Sequence, residues 1–153
     1  MNNRSNRKYK DLEAIKIKLK SVKKKPVKII LDSNAFFVPI YFKIDIFRGI
    51  EQLLNRNIEL ILISPIKQEL ELLVEKKKNK TAIFALQLAL KCKYIELDVT
   101  KDSLTDDIIV EKANEWKAVV FTNDRMLKKR LRNISVPVVY VRQKSFLEID
   151  GMI

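Results

Sequence analysis

The chain has 153 residues, 47% of them apolar and 33% charged, with a net charge of +12; that is enough apolar material for the core of one domain without covalent or metal staples. It contains no histidine and a single cysteine, Cys92. These absences exclude an imidazole base, a Ser-His pair, His-ligated zinc, an internal disulfide and a multi-cysteine zinc ribbon, and they fit a reducing cytoplasm.

No apolar run approaches the ~18 residues of a membrane span, and the basic N-terminus lacks the apolar stretch of a signal peptide, so a soluble, cytoplasmic protein with no membrane contact is expected. Gly49 and Gly151 are the only glycines. Neither follows a predicted strand, which argues against a phosphate-cradling glycine loop.

The charge is uneven. Residues 1 to 28 carry 11 Lys and Arg against Asp11 and Glu13, a net +9 that leaves +3 for the remainder. Residues 1 to 10 read as disordered. Leu12, Ile15 and Leu19 have helical spacing, although Ile15, Ile17 and Leu19 also permit a strand. Lys23, Lys24, Lys25 and Pro26 close a basic arm of residues 1–26, with a folded domain expected over 27–153.

Beyond the arm, apolar runs alternate with helical patterns, the signature of βαβ units and a mostly parallel sheet. Strands are predicted over Val27 to Leu31, Ile58 to Ile63, Tyr94 to Leu97, Ala118 to Phe121 and, last, Pro137 to Val141. Helices are predicted over Ile44 to Asn55, Pro65 to Lys76, Thr81 to Lys91, Leu104 to Glu115 and Asp124 to Arg132.

In this layout Asp32 ends the first strand and Asp124 follows the fourth. Open parallel sheets bind ligands beyond the carboxyl ends of their strands, where strand order reverses. Adjacent first and fourth strands would therefore give the two carboxylates one crevice, with Glu69 and Asp106 on neighbouring helices able to complete a group of four.

Taken singly, each acid reads better as a helix cap or a solvated side chain. Together they suit a hard divalent cation, which relieves their repulsion and activates water against a phosphodiester. Helical projection puts Asp106 near the stripe of Ile109, Ala113 and Trp116 with Asp107 facing away, and it puts Glu69 closer than Glu71 to the buried face.

The segments Ile29 to Asn34, Ser64 to Leu70, Asp106 to Ile109 with Ala113, and Val119 to Asp124 resemble, in order and approximate spacing, the four acidic motifs of PIN-domain ribonucleases. The likeness runs over about residues 27 to 142. Phe37 to Phe47, Asp124 to Arg132 and Val136 to Tyr140 look most like the branch that processes small-subunit ribosomal RNA, with VapC-type toxins next.

The resemblance implies an α/β three-layer sandwich with a mostly parallel five-stranded sheet between helices, an endoribonuclease activity, and Mg²⁺ or Mn²⁺ as cofactor. It assigns Asp32, Glu69, Asp106 and Asp124 to the metal and Thr122 to the site as a hydroxyl, with Ser33, Asn123 and Asp107 as outer contacts. RNA is the expected partner, held by Lys23, Lys24, Lys25, Lys128, Lys129, Arg130 and Arg132, with Lys76, Lys77, Lys78 and Lys80 as another basic run. A homodimer and, in the toxin branch, an antitoxin are the protein partners to look for.

Two rival readings remain at this level. One is a non-catalytic RNA-binding or ribosome-assembly factor on the same scaffold. The other is a phospho-acceptor or phosphatase domain, disfavoured because the positions just before and two after Asp32 hold Leu31 and Asn34 rather than a second acid.

Overall fold

The structure, a computed structural model, describes residues 10–16 and 25–153. Residues 10–16 form helix α1 with every side chain exposed; the expectations for residues 1–9 and 17–24, including Leu19, Lys23 and Lys24, lie outside the described residues.

From Val27 the chain runs β1 (Val27–Leu31), a 3₁₀ turn (Ser33–Phe37), α2 (Val38–Phe42), α3 (Ile46–Leu54), β2 (Ile58–Ile63), α4 (Ser64–Lys77), α5 (Lys80–Ala89) and β3 (Lys93–Ile95). It continues with α6 (Thr105–Trp116), β4 (Val119–Phe121), α7 (Arg125–Asn133), β5 (Val138–Arg142) and β6 (Phe146–Asp150). No helix among the described residues is long and apolar enough to cross a membrane.

The strands form one sheet in the order β3-β2-β1-β4-β5-β6. The first five are parallel and β6 is antiparallel to β5. Ile29, Ile30 and Leu31 are consecutive and buried, as are Ile61 to Ile63 and Val119 to Phe121. Successive side chains of a strand face opposite sides, so both faces of the sheet are covered, as in an α/β sandwich.

Two expectations are corrected. The sheet has six strands rather than five, because Val138↔Asp150 through Arg142↔Phe146 add a final hairpin arm, which makes β5 an interior strand instead of the last. Gly151 does follow a strand, β6, at φ +105°. A side chain there would collide with the Arg132 guanidinium and lie 3.1 Å from Pro137 Cα. One glycine at the chain's end still makes no phosphate loop.

The chain crosses from one side of β1 to the other between β3 and β4. The reversal of strand order thus falls between β1 and β4, which pair in the register Ile29↔Val119 to Leu31↔Phe121. Their carboxyl ends are where the candidate residues lie.

Candidate active site

Asp32 leaves β1 still in the ladder, its backbone N–H donating to Phe121 O at 2.9 Å. It then caps the 3₁₀ turn, with Oδ1 accepting from Ser33 N at 2.8 Å. Its other oxygen, Oδ2, accepts from Thr122 Oγ1 at 2.8 Å and Asn34 Nδ2 at 3.0 Å. A carboxylate offers about four lone-pair directions. Three are used, one is left, and the group is only 6% exposed.

Thr122, fully buried, joins the two strands. Its hydroxyl donates to Asp32 and accepts from Asp124 N at 3.1 Å. Asp124 is exposed and caps α7 through Oδ1, which accepts from Met126 N and Leu127 N at 2.9 and 3.1 Å. Capping takes one oxygen and leaves Oδ2 free of donors among the described residues, so a cap role and a site role are compatible in this residue.

Glu69 on α4 and Asp106 in the first turn of α6 are half-buried, whereas Glu71 and Asp107 are exposed. Burial pushes the Asp32 carboxyl above its usual range; Thr122 and Ser33 pull it down, and repulsion from Glu69 and Asp106 adds to the rise. Asp106 is also raised, first by burial and then by Asp124, with Arg130 opposing and Glu69 and Asp107 contributing. The acids from β1, α4, α6 and the β4–α7 junction therefore share one electrostatic neighbourhood.

Not every sequence-predicted residue faces it. Ser33 contributes its backbone N–H rather than its hydroxyl. Asn123 turns its Oδ1 to Val141 N at 2.9 Å, tying the β4–α7 junction to β5. Asp107 pairs with Arg130 at 2.8 Å. Lys128 and Arg132 both reach Asp150, at 3.6 and 3.2 Å, so part of the basic face of α7 fastens β6.

Asn34 was missing from the sequence-derived set. Its Nδ2 donates to Asp32, and its Oδ1 accepts from Asn123 N at 3.1 Å, linking the first acid's turn to the last acid's. The signal was an amide two residues after a strand-ending Asp, a spacing suited to a local Asx bond. Cys92 belongs to no such arrangement: burial pushes its thiol up to about 12, which keeps it protonated at neutral pH.

Matched against known families, residues 29–144 fit the model described as a PIN like domain. The chain belongs to the PIN-like domain family. Ribonuclease VapC4 of Methanocaldococcus jannaschii is 36% identical over 130 residues, 82% of this chain and 98% of that protein. The rRNA-processing protein FCF1 of Saccharomyces cerevisiae is 31% identical over 121 residues, 77% of this chain but 61% of FCF1, so this PIN-like chain spans somewhat under two thirds of that relative. Among solved structures, the PIN domain endonuclease Utp24 superposes with a TM-score of 0.69 at 27% identity, covering 84% of this chain and 94% of that one. The fold is accordingly α/β and PIN-like, in a nuclease family.

Whether this site suits a divalent cation is a question of donor chemistry. Every candidate ligand is an oxygen, the composition Mg²⁺ and Mn²⁺ prefer, and two of the acids, Asp32 and Asp106, are held above their usual range by burial and by neighbouring carboxylates. Among the described residues no three acidic side chains converge as a ready-made cage. Mg²⁺ commonly keeps several waters and takes only one or two carboxylates plus substrate phosphate, and an open site of this kind fits that mode.

Proposed function

We propose that this PIN-like chain is a metal-dependent endoribonuclease. The reading is carried by the link across the sheet's reversal point, where the Thr122 hydroxyl donates to the Asp32 carboxylate and accepts from the Asp124 backbone N–H, with Glu69 and Asp106 within electrostatic reach. Asp32 and Asp124 would hold Mg²⁺ or Mn²⁺, Asp124 through its uncommitted Oδ2. When bound, such an ion neutralises the acids, lowers the pKa of water and stabilises the oxygen leaving a phosphodiester.

The chain's own groups do the rest. Ser33 N–H, Thr122 and Asn34 fix the Asp32 carboxylate, so no reorganisation is needed when substrate arrives. Glu69 or Asp106 accepts the one proton that water loses as its oxygen bonds to phosphorus, the oxygen that leaves as the other P–O bond breaks takes a proton from solvent, and the charge of the acids favours cation over anion at the crevice.

The substrate we infer is a ribosomal-RNA precursor, supported by the likeness to the rRNA-processing protein FCF1, while the likeness to the endonuclease Utp24 supports cutting within a chain. A VapC-type toxin is the second reading, favoured by a match running along 98% of VapC4. Incubating the protein with small-subunit precursor RNA and Mn²⁺ and mapping the new ends tests the first. A co-encoded small protein that binds and silences the enzyme decides for the second. RNA bound with no cleavage under any divalent ion leaves the scaffold reading instead.

A further inference from the structure

Beside the acids lies a second feature that the cluster does not use. A cleft of about 520 Å³ opens between α2, the start of α7 and the β5–β6 hairpin, with Thr122 and Asn123 in its wall. Phe42 and Tyr140 supply aromatic surface, and Arg125, Lys128, Arg142 and Lys144 supply charge; among the described residues no carboxylate lines it. Lys128 sits 3.5 Å from the centre of the Tyr140 ring.

Two of the cations are partly answered by the protein itself, Lys128 by Asp150 and Arg142 by Glu148 at 2.8 Å. Arg125 and Lys144 are exposed and enter no ion pair among the described residues. They are the charges available to a ligand.

From this placement we propose that the cleft is a nucleotide subsite. It holds one unpaired RNA residue flanking the scissile phosphate, its base against Phe42 and Tyr140 and its phosphates on Arg125 and Lys144. The proposal rests on the endoribonuclease reading for what lies next door, and it adds a requirement: RNA must be single-stranded on that flank.

A cleft of this size matches a drug-sized ligand, which a nucleotide resembles. Bases expose their faces to aromatic side chains only when unstacked, so duplex RNA presents phosphates to the cations but nothing to the rings. Continuity is direct, because Thr122, which orients Asp32, also walls the cleft.

The test is equilibrium binding of fluorescein-labelled ten-residue oligoribonucleotides to the full chain in EDTA, which holds off metal-dependent cleavage. Intact single strands should bind roughly tenfold more tightly than a blunt duplex of equal length, and one abasic position should weaken binding roughly tenfold. Arg125→Ala with Lys144→Ala should lower the log–log salt slope by about 1.4, at ~0.7 per single-strand phosphate contact. Both residues are exposed, so the double variant should keep the parent melting temperature.

An unchanged salt slope in the double variant overturns the subsite. So does an abasic strand that binds as well as an intact one at every position, since the cleft would then be reading phosphate alone. Failure of the parent reading looks different: the binding effects persist while Mn²⁺ elicits no cleavage. Cleavage with an unchanged slope sinks the subsite and spares the nuclease.

Discussion

At Asp32 two demands conflict. The fold buries a carboxyl, and the site surrounds it with further acids, so the group sits above its usual range. A carboxyl raised on folding binds its proton more tightly in the native state than in the unfolded chain. In the window above the ordinary aspartate value of 3.8 the native state holds more protons, so stability falls as pH rises through that window. The melting temperature in EDTA should therefore decline between pH 4 and 7 more steeply for the parent than for Asp32→Asn, and Mn²⁺ should remove most of the difference. Parallel curves would show that Asp32 has no such tension.

Thr122→Val leaves Asp124 N without its acceptor and Asp32 Oδ2 with Asn34 alone. The expected loss is about 1–3 kcal/mol, read as a melting point several degrees lower, together with slower cleavage. Asp106→Asn should slow single-turnover cleavage roughly 100-fold and Asp107→Asn only slightly, because Asp106 is the half-buried member that feels Asp124 and Glu69, while Asp107 faces Arg130 in solvent. The reverse ranking at equal folded stability would reassign the third acid.

At the scale of elements, what the sequence disclosed follows from how loudly each segment is patterned. The solid apolar runs of β1, β2 and β4 announce doubly covered strands, whereas the helix starts fixed by the caps Asp45 and Asn79, which accept from Arg48 N and Ala82 N, fall one or two residues from the expected Ile44 and Thr81. The segment Ser33 to Phe42 stayed dark because it is apolar on every side, with Ala35, Phe36 and Val38 buried, so no period emerges.

The β5–β6 hairpin was missed for a different reason. Its turn places Gln143 and Lys144 at φ +53° and +56°, with Ser145 N donating to Arg142 O at 3.1 Å. That geometry ordinarily advertises itself with Asn-Gly or Asp-Gly, and neither is present. Position-based reading found Asp32 and Asp124 because strand ends are legible; it missed Asn34 because a side-chain amide's partners are set only when β1 and β4 meet. Gly151→Ala should cost about 1–3 kcal/mol, the price of a strained φ and a collision with Arg132, and it should loosen β6 first, as seen by amide exchange in Phe146–Asp150.

For the whole molecule, charge is the organising quantity. The N-terminal residues hold +9 of the net +12, while the folded part gathers acids at one crevice and cations at the cleft beside it. Deleting residues 1–25 should flatten the salt dependence of RNA binding by several phosphate contacts, at ~0.7 to 0.9 each, without abolishing cleavage at low salt; an unchanged slope would make the arm a solubilising tail.

Acids gathered at the carboxyl ends of β1 and β4, with Thr122 tying the Asp32 carboxylate to the Asp124 backbone, would cut RNA with a divalent ion. Single-turnover cleavage of a small-subunit precursor RNA tests this most directly, with the parent chain in Mn²⁺, the parent in EDTA, and Asp32→Asn in Mn²⁺. Cleavage is expected in the first alone, with RNA still bound in all three; cleavage that survives EDTA or Asp32→Asn would rule out a metal-dependent carboxylate site.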